Sequence, residues 1–476
     1  MKGKSARACL LLVMVAGAGC GGGPLPVPAG PPGEAAARPE QGTAEEPAAG
    51  GGGERSALRL VLSLPEAIRY AEGHNPRLVS ARLEQEKARG RIVSARSGGL
   101  PQLSLSASYV RLDEAGTIDV PGVGSMVVGN EDNYRASLSL SQPIYVGGKV
   151  RGAMRIARLY ERSTEASGEA ARRAVVFEVT RAYYGLVLAE KRVRMMEEQL
   201  RLARSHLEDA ESRYREGAAL RLHVIRARAA VSRAESGLIR ARGGLEAARR
   251  ALLVAIGAPL AAEVELTDDL PEPGTLEVPQ PPSLEELRSR RPDIAALEAH
   301  IAMQQENLRI VAGDLRPTVA AFGEYGWEKP PTKSFGELDW SDYWQAGVRL
   351  SWTLYDGGAV RGRLIEERAA LAQMQTELAE KLRAARREVL DAVSEIEAAG
   401  RLVEACRGAV LEAEEALRLA RAAYDAGTAS QVELLDAQAG LTSARIAYAE
   451  ARYSYAMAWA AYRLAAGTTV GERSAQ

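Results

Sequence analysis

Residues 179–214 read VTRAYYGLVLAEKRVRMMEEQLRLARSHLEDAESRY, and the apolar residues keep a seven-residue beat. Val179, Leu186, Val193, Leu200, Leu207 and Tyr214 make one layer, with Ala182, Ala189, Met196, Ala203 and Ala210 between them. A heptad with two apolar positions is a coiled-coil seam, and small residues in alternate layers let two backbones approach closely. The pattern returns as Val389, Ile396, Val403, Val410, Leu417 and Tyr424, interleaved with Ala392, Ala399, Cys406, Ala413 and Ala420. Each stretch has a returning partner of the same period, one through Val224, Leu238 and Leu252 and the other through Leu434, Leu441, Tyr448, Tyr455 and Tyr462. Two antiparallel coiled coils follow. The first long helix, from about Gly148 to Tyr214, would measure roughly 100 Å at 1.5 Å per residue. In this frame Cys406 is a small buried apolar residue rather than a reactive thiol, and the tyrosine column is core.

The duplication extends beyond the coils. Asn75-Pro76 and Leu100-Pro101 recur 216 residues on as Arg291-Pro292 and Arg316-Pro317. Tyr145-Val146-Gly147-Gly148 and the Tyr214 to Gly217 turn recur 210 residues on, as Tyr355-Asp356-Gly357-Gly358 and Tyr424 to Gly427. One length change inside one loop separates two copies of a single long unit. Each copy opens on a capping box, Ser63-x-x-Glu66 or Ser283-x-x-Glu286, followed by a helix that ends before Pro101 or Pro317.

Between the prolines and the long helices the period drops to two. Leu103, Leu105, Ala107 and Tyr109 alternate with serines, as do Ala136, Leu138 and Leu140; Ala346, Val348, Leu350, Trp352 and Leu354 alternate with polar or small residues. Strands are predicted over about 102–112, 134–146, 318–327 and 343–355, joined by polar loops at 113–133 and 328–342. They are near the ~9–11 residues that cross a bilayer at a tilt, apolar side to lipid. A soluble half-buried hairpin fits the alternation equally, and the length of the attached helices favours the membrane. Arg349 and Glu324 then line a wet lumen. Four strands leave two open edges that lipid cannot satisfy, whereas closed membrane barrels need about eight strands or more. The chain must therefore associate, and three copies give a twelve-strand barrel. The predicted fold class is mainly α with membrane β: a duplicated helix–hairpin–helix unit whose coiled coils form an α-helical tunnel.

Composition bounds the function. The 476 residues carry 61 Lys+Arg against 62 Asp+Glu, a net charge of −1 that offers nothing to nucleic acid. Aromatics are 5%, thin for ordinary compact cores. Residues 1–19 read as a signal peptide and Cys20 as the acylated cysteine of a lipobox, with Gly17 where that pattern prefers Leu; simple cleavage nearby is the alternative. Residues 20–57 form a Gly/Pro/Ala tether, 58–257 the first repeat, 258–282 an inter-repeat linker, 283–467 the second repeat and 468–476 a tail. After residue 20 no apolar run approaches the ~18 residues of a spanning helix. His74, His206, His223 and His300 are scattered, and no metal-ligand spacing or phosphate loop accompanies them. No catalytic residue and no cofactor is predicted.

The Leu-Pro-Gln-Leu-Ser-Leu-Ser run at 100–106, the Tyr-x-Gly-Gly-x-x-Arg turns at 145–151 and 355–361, and Tyr424-Asp-Ala-Gly427 followed by Leu434-Leu435-Asp436-Ala437-Gln438 resemble TolC-type outer-membrane efflux proteins over about residues 60–467. The resemblance, to the lipoprotein branch in particular, implies a homotrimer with its barrel in outer-membrane lipid and its helices in the periplasm. It implies a periplasmic adaptor (membrane fusion protein) and an inner-membrane pump of RND or ABC type as partners. It makes the Gly217 and Gly427 turns the closed periplasmic tip. Counting from Gly427 assigns Glu433 and Asp436 to the pore constriction, where clustered carboxylates repel one another and favour cations. Ser430-x-x-Glu433 is also a capping box, which explains Glu433 equally well. The first copy has His223 and Arg226 at these positions, and Tyr424 could bond across to His223, although Ala429 stands where some members have an arginine for that link. Polypeptide secretion through a type I system is an alternative to efflux, and a periplasmic coiled-coil adaptor lipoprotein is a further one.

Overall fold

The computed structural model describes residues 59–122, 124–127, 130–273, 278–331 and 339–468. Cys20, the signal peptide, the tether and most of the tail lie outside them.

The first copy comprises β1 (Arg59–Leu62), α1 (Leu64–His74), α2 (Pro76–Ser97), β2 (Gln102–Arg111), β3 (Thr117–Val120), β4 (Gly124–Val127), β5 (Asp132–Val146), α3 (Lys149–Arg215) and α4 (Arg221–Ile256). After β6 (Glu263–Leu266) the second copy runs α5 (Leu284–Arg290), α6 (Pro292–Ala312), β7 (Thr318–Lys329), β8 (Ser341–Ser351), α7 (Ala359–Asp425) and α8 (Gln431–Ala466). Both long helices have 67 residues. α3 packs along α4 and α7 along α8. The heptad residues Val179, Leu186, Val193 and Leu200 are buried, as are Val389, Ile396 and Val403. Tyr455 is buried, and Tyr448, Tyr462 and Cys406 pack against the same cluster.

The proline kinks dock the ends of the return helices. Asn75 caps α2, its Oδ1 accepting from the Arg77 N–H at 2.9 Å, while its Nδ2 donates to the Ala255 carbonyl at 2.7 Å. Arg291, 216 residues on, donates to the Ala465 carbonyl at 3.4 Å. Its guanidinium also bonds Asp293, 2.9 Å to Oδ2, and the Glu388 carboxylate, with its side chain only 11% exposed. Burial raises the Asp293 carboxyl, but Arg291 and Lys381 outweigh it and hold the group below the ordinary carboxylate range.

β2, β5, β7 and β8 form one antiparallel sheet in that order. Leu103 faces Leu140, Leu105 faces Leu138, and Leu138 in turn faces Tyr325 and Tyr325 faces Trp344, all on one side. That side is bare, with Leu105 75% and Trp344 71% exposed. The other side is polar. Ser104 and Ser139 hydroxyls meet at 2.7 Å, and Glu324 accepts from Tyr343 at 2.8 Å and Gln345 at 2.6 Å. The strand predicted over 343–355 stops at Ser351, paired with Thr318. Pro317 ends β7 there, so Trp352 has no strand to pair with and its indole N–H donates to the Leu315 carbonyl at 3.0 Å instead.

Two small sheets were not predicted. β3 and β4 pair inside the first hairpin loop, turning through Gly122 (φ 88°) and Gly124 (φ 101°). β1 pairs in parallel with β6 within the predicted linker. Behind that pair lies a core containing Tyr183, Leu186, Leu252, Leu253 and Ile256, with the Tyr183 hydroxyl donating to the Leu62 carbonyl and accepting from the Asp268 N–H, both at 3.1 Å.

Candidate functional site

The tip is made by two hairpins of unequal finish. Gly217 and Gly427, both at φ 76°, end the long helices in the left-handed region that glycine enters at no steric cost. Beyond Gly427, the Ser430 N–H donates to Glu433 Oε2 at 2.8 Å and the Ser430 hydroxyl accepts from the Glu433 N–H at 3.3 Å, closing the capping box. The first hairpin has Leu220 at the equivalent place, with no side-chain cap. Glu433 therefore has a structural task whatever else it does. Asp436, one turn further, is exposed and caps nothing; Arg226 is exposed and His223 half-buried.

Tyr424 lies under a different partner from the one the sequence suggested. The Arg213 guanidinium sits 4.9 Å from its ring centroid, a cation–π contact between α3 and α7. Among the described residues no hydrogen bond joins Tyr424 to His223.

The Arg213 contact ends a series of polar contacts between the repeats that sequence reading missed. On the α3 side are Arg192, Glu198 and His206; facing them on α8 are Glu450, Arg445 and Gln438. Arg192 and Glu450 form an ion pair, Arg445 reaches Glu198 at 3.6 Å and Glu414 at 2.9 Å, and Gln438 hydrogen-bonds His206. Burial, opposed by Asp209 and assisted by Arg421, pushes the His206 imidazole below its ordinary value. With the Gln438 amide nitrogen donating, the ring accepts at Nε2 and is neutral. These residues occupy the flanks of the heptads, where a charged side chain reads as solvated. Only the pairing of opposite charges across two helices distant in sequence could have signalled them.

From Arg192 towards the tip the seam is thus held by polar and half-exposed contacts, the class worth least in water, whereas Ala449 of α8 is buried in one apolar cluster with Leu188 of α3 and each coil is held by buried apolar layers. The stretch from Arg192 to Arg213 is the part of the joint between the coils with the weakest class of contact. Among the described residues no group of His, Cys, Asp or Glu has the arrangement of a metal site, and no helix is long and apolar enough to cross a membrane.

The family model described as outer membrane efflux protein matches residues 67–258 and 283–468, the two copies in turn. The chain is 24% identical over 336 residues to outer membrane protein OprJ of Pseudomonas aeruginosa, covering 67% of this chain and 70% of that protein. It is 23% identical over 425 residues to alkaline protease secretion protein AprF of the same organism, covering 86% and 85%. The crystal structure of the Campylobacter jejuni CmeC outer membrane channel superposes with a TM-score of 0.74 at 19% identity, covering 85% of each chain. With both repeats matched in order, the chain belongs to the outer membrane efflux protein family.

Proposed function

We propose that this chain is the outer-membrane exit duct of a tripartite efflux system. Three copies close their four-stranded sheets into a twelve-strand barrel, and the coiled coils continue it as a tunnel through the periplasm. An adaptor couples the tip to an inner-membrane pump, of RND or ABC type, which supplies the energy. The duct conducts passively and is not an enzyme. Acylated Cys20 adds a lipid anchor beside the barrel. The observation that carries this reading is the four-stranded sheet, bare and apolar on one face and polar on the other, joined directly to two 67-residue helices. Lipid covers the first face and water the second.

At the tip, three copies of Asp436, with Glu433 beside them, bring carboxylates around one axis. Gly217 and Gly427 shape the turns, Tyr424 meets Arg213 between the two hairpins of a chain, and His223 and Arg226 stand on α4 just beyond the Gly217 turn. Single-channel recording in planar bilayers tests this: wild type gives a small conductance, and Asp436→Ala raises it several-fold. A purified protein that stays soluble and never inserts would overturn the duct.

Secretion of unfolded polypeptide is the second reading, favoured by the match to AprF, whose name assigns it to protease secretion. Deleting the gene separates the two: loss of an exported polypeptide supports secretion, and sensitivity to small toxic compounds supports efflux.

A further inference from the structure

A cleft opens where the proline kink of the second copy meets both coils. It measures about 660 Å³ and is walled by α3, the start of α6, α7 and the end of α8. Sites that hold small organic molecules have this size. Phe177 of α3, Pro292 of α6 and Leu464 of α8 give it an apolar lining. Phe177, one of only 3 phenylalanines in the chain, is half-buried, and Leu464 is 36% exposed.

The charges around the cleft do not balance. Both of its guanidiniums are committed to the protein. Arg173 donates to the carbonyls of Arg290 and Gly467 and to the Glu169 carboxylate, each at 2.9 Å, while Arg291 holds Asp293 and Glu388. The other two carboxylates of the lining, Asp391 and Glu395, stand one turn apart on α7. Among the described residues Glu395 has no hydrogen bond or ion pair. Asp391 reaches only Arg387, 3.9 Å away, with side chains 75% and 76% exposed.

The repeated architecture does not ask for this arrangement. At the spacing of 210 residues, Asp391 and Glu395 correspond to Arg181 and Gly185, and Phe177 corresponds to Arg387. The segment between the copies does not roof the cleft either. Arg452 of α8 donates to the Leu270 and Pro271 carbonyls of that segment. Ala461, which lines the cleft, follows nine residues later, about two and a half turns on and so on the opposite side of the helix.

We propose that this cleft binds a small aromatic cation, its ring against Phe177 and Leu464 and its positive charge beside Asp391 and Glu395. The apolar lining takes the ring, the Phe177 face adds a cation–π contact, and the two spare carboxylates select a cation over an anion. All of the lining belongs to one chain, so the site does not depend on the trimeric duct.

Fluorescence anisotropy of ethidium with nuclease-treated, full-length protein in a non-ionic detergent tests the site. Wild type should bind ethidium saturably, more weakly as salt rises, and should leave fluorescein, an anion of similar size, unbound. Asp391→Asn with Glu395→Gln should weaken binding about tenfold or more and flatten the salt dependence. Phe177→Leu, which stays apolar but loses the aromatic face, should weaken it several-fold. Both carboxylates are exposed, so thermal melts of the double variant should match wild type. Equal affinity in wild type and the double variant, fluorescein bound as tightly as ethidium, or no saturable binding overturns the site. A loss confined to Asp436→Asn would move the cation to the tip, and binding that appears only after residues 469–476 are deleted would give the cleft to the tail; either result overturns it too. Each of these outcomes leaves the duct to be decided by its own conductance test.

Discussion

Gln438 on α8 donates to the imidazole of His206 on α3, tying the second repeat to the first inside a half-buried seam. Burial keeps that imidazole neutral, with its titration below the ordinary histidine value. A histidine depressed in the folded state binds its proton more readily when unfolded, so stability is lost as pH falls through about 6.5 and is unaffected above it. Thermal unfolding followed from pH 7.5 to 5.5 should show a smaller decline for His206→Asn than for wild type. Equal slopes would remove His206 from the account.

Arg291 is a stronger anchor because its charge is nearly enclosed. Arg291→Ala strands Asp293, which keeps only Lys381 at 3.1 Å, and deprives the Ala465 carbonyl of a donor. The expected loss is on the order of 3 kcal/mol, read by denaturant or thermal unfolding. The depressed Asp293 titration places the acid loss of this network below the ordinary carboxylate range, well under the pH at which His206 responds.

The two tasks of Glu433 can be separated. Glu433→Gln keeps an acceptor for the Ser430 N–H and removes the charge, whereas Glu433→Ala removes both. If the charge acts on permeating ions, both variants lower cation selectivity in bilayer recordings, while only the alanine variant loses about 1 kcal/mol of stability. Unchanged selectivity in Glu433→Gln would leave Glu433 as a cap alone.

Arg192 and Glu450 are 47% and 44% exposed in their side chains, so deleting the pair should cost less than about 1 kcal/mol. Its effect on the duct should be larger than its effect on stability. Arg192→Ala together with Arg445→Ala is expected to raise basal conductance with an unfolding midpoint within a few degrees of wild type; a drop in stability without a change in conductance would make the seam merely structural.

What could be read in the chain followed from periodicity. Heptads exposed the coils because a seam repeats a rule many times, so that Val179 and Ile396 could be placed in a core without knowing what covers them. The alternation through Leu103, Leu105 and Ala107 separated the two faces of the sheet in the same way. Contacts made once left no such trace. β1 and β6 are four residues each and pair across the whole first copy, and Tyr183, which buckles them to α3, looks like any other heptad flank. At the tip, spacing located the Ser430 cap but not Arg213 over Tyr424, because a cation–π contact between helices distant in sequence depends on how the coils lie side by side.

The β1–β6 pair also bears on the order in which the molecule can be completed. Its partners are far apart in the chain, Leu64 bonding Asp268 at a separation of 204 residues, and no matching strand pair closes the second copy among the described residues. β1 must therefore wait as an open edge until residue 266 has joined the chain, and pairing over so long a loop is intrinsically slow. During that interval the emerging first half offers an unpaired strand to any passing chain, so the step at which mispairing is shut off is the arrival of β6.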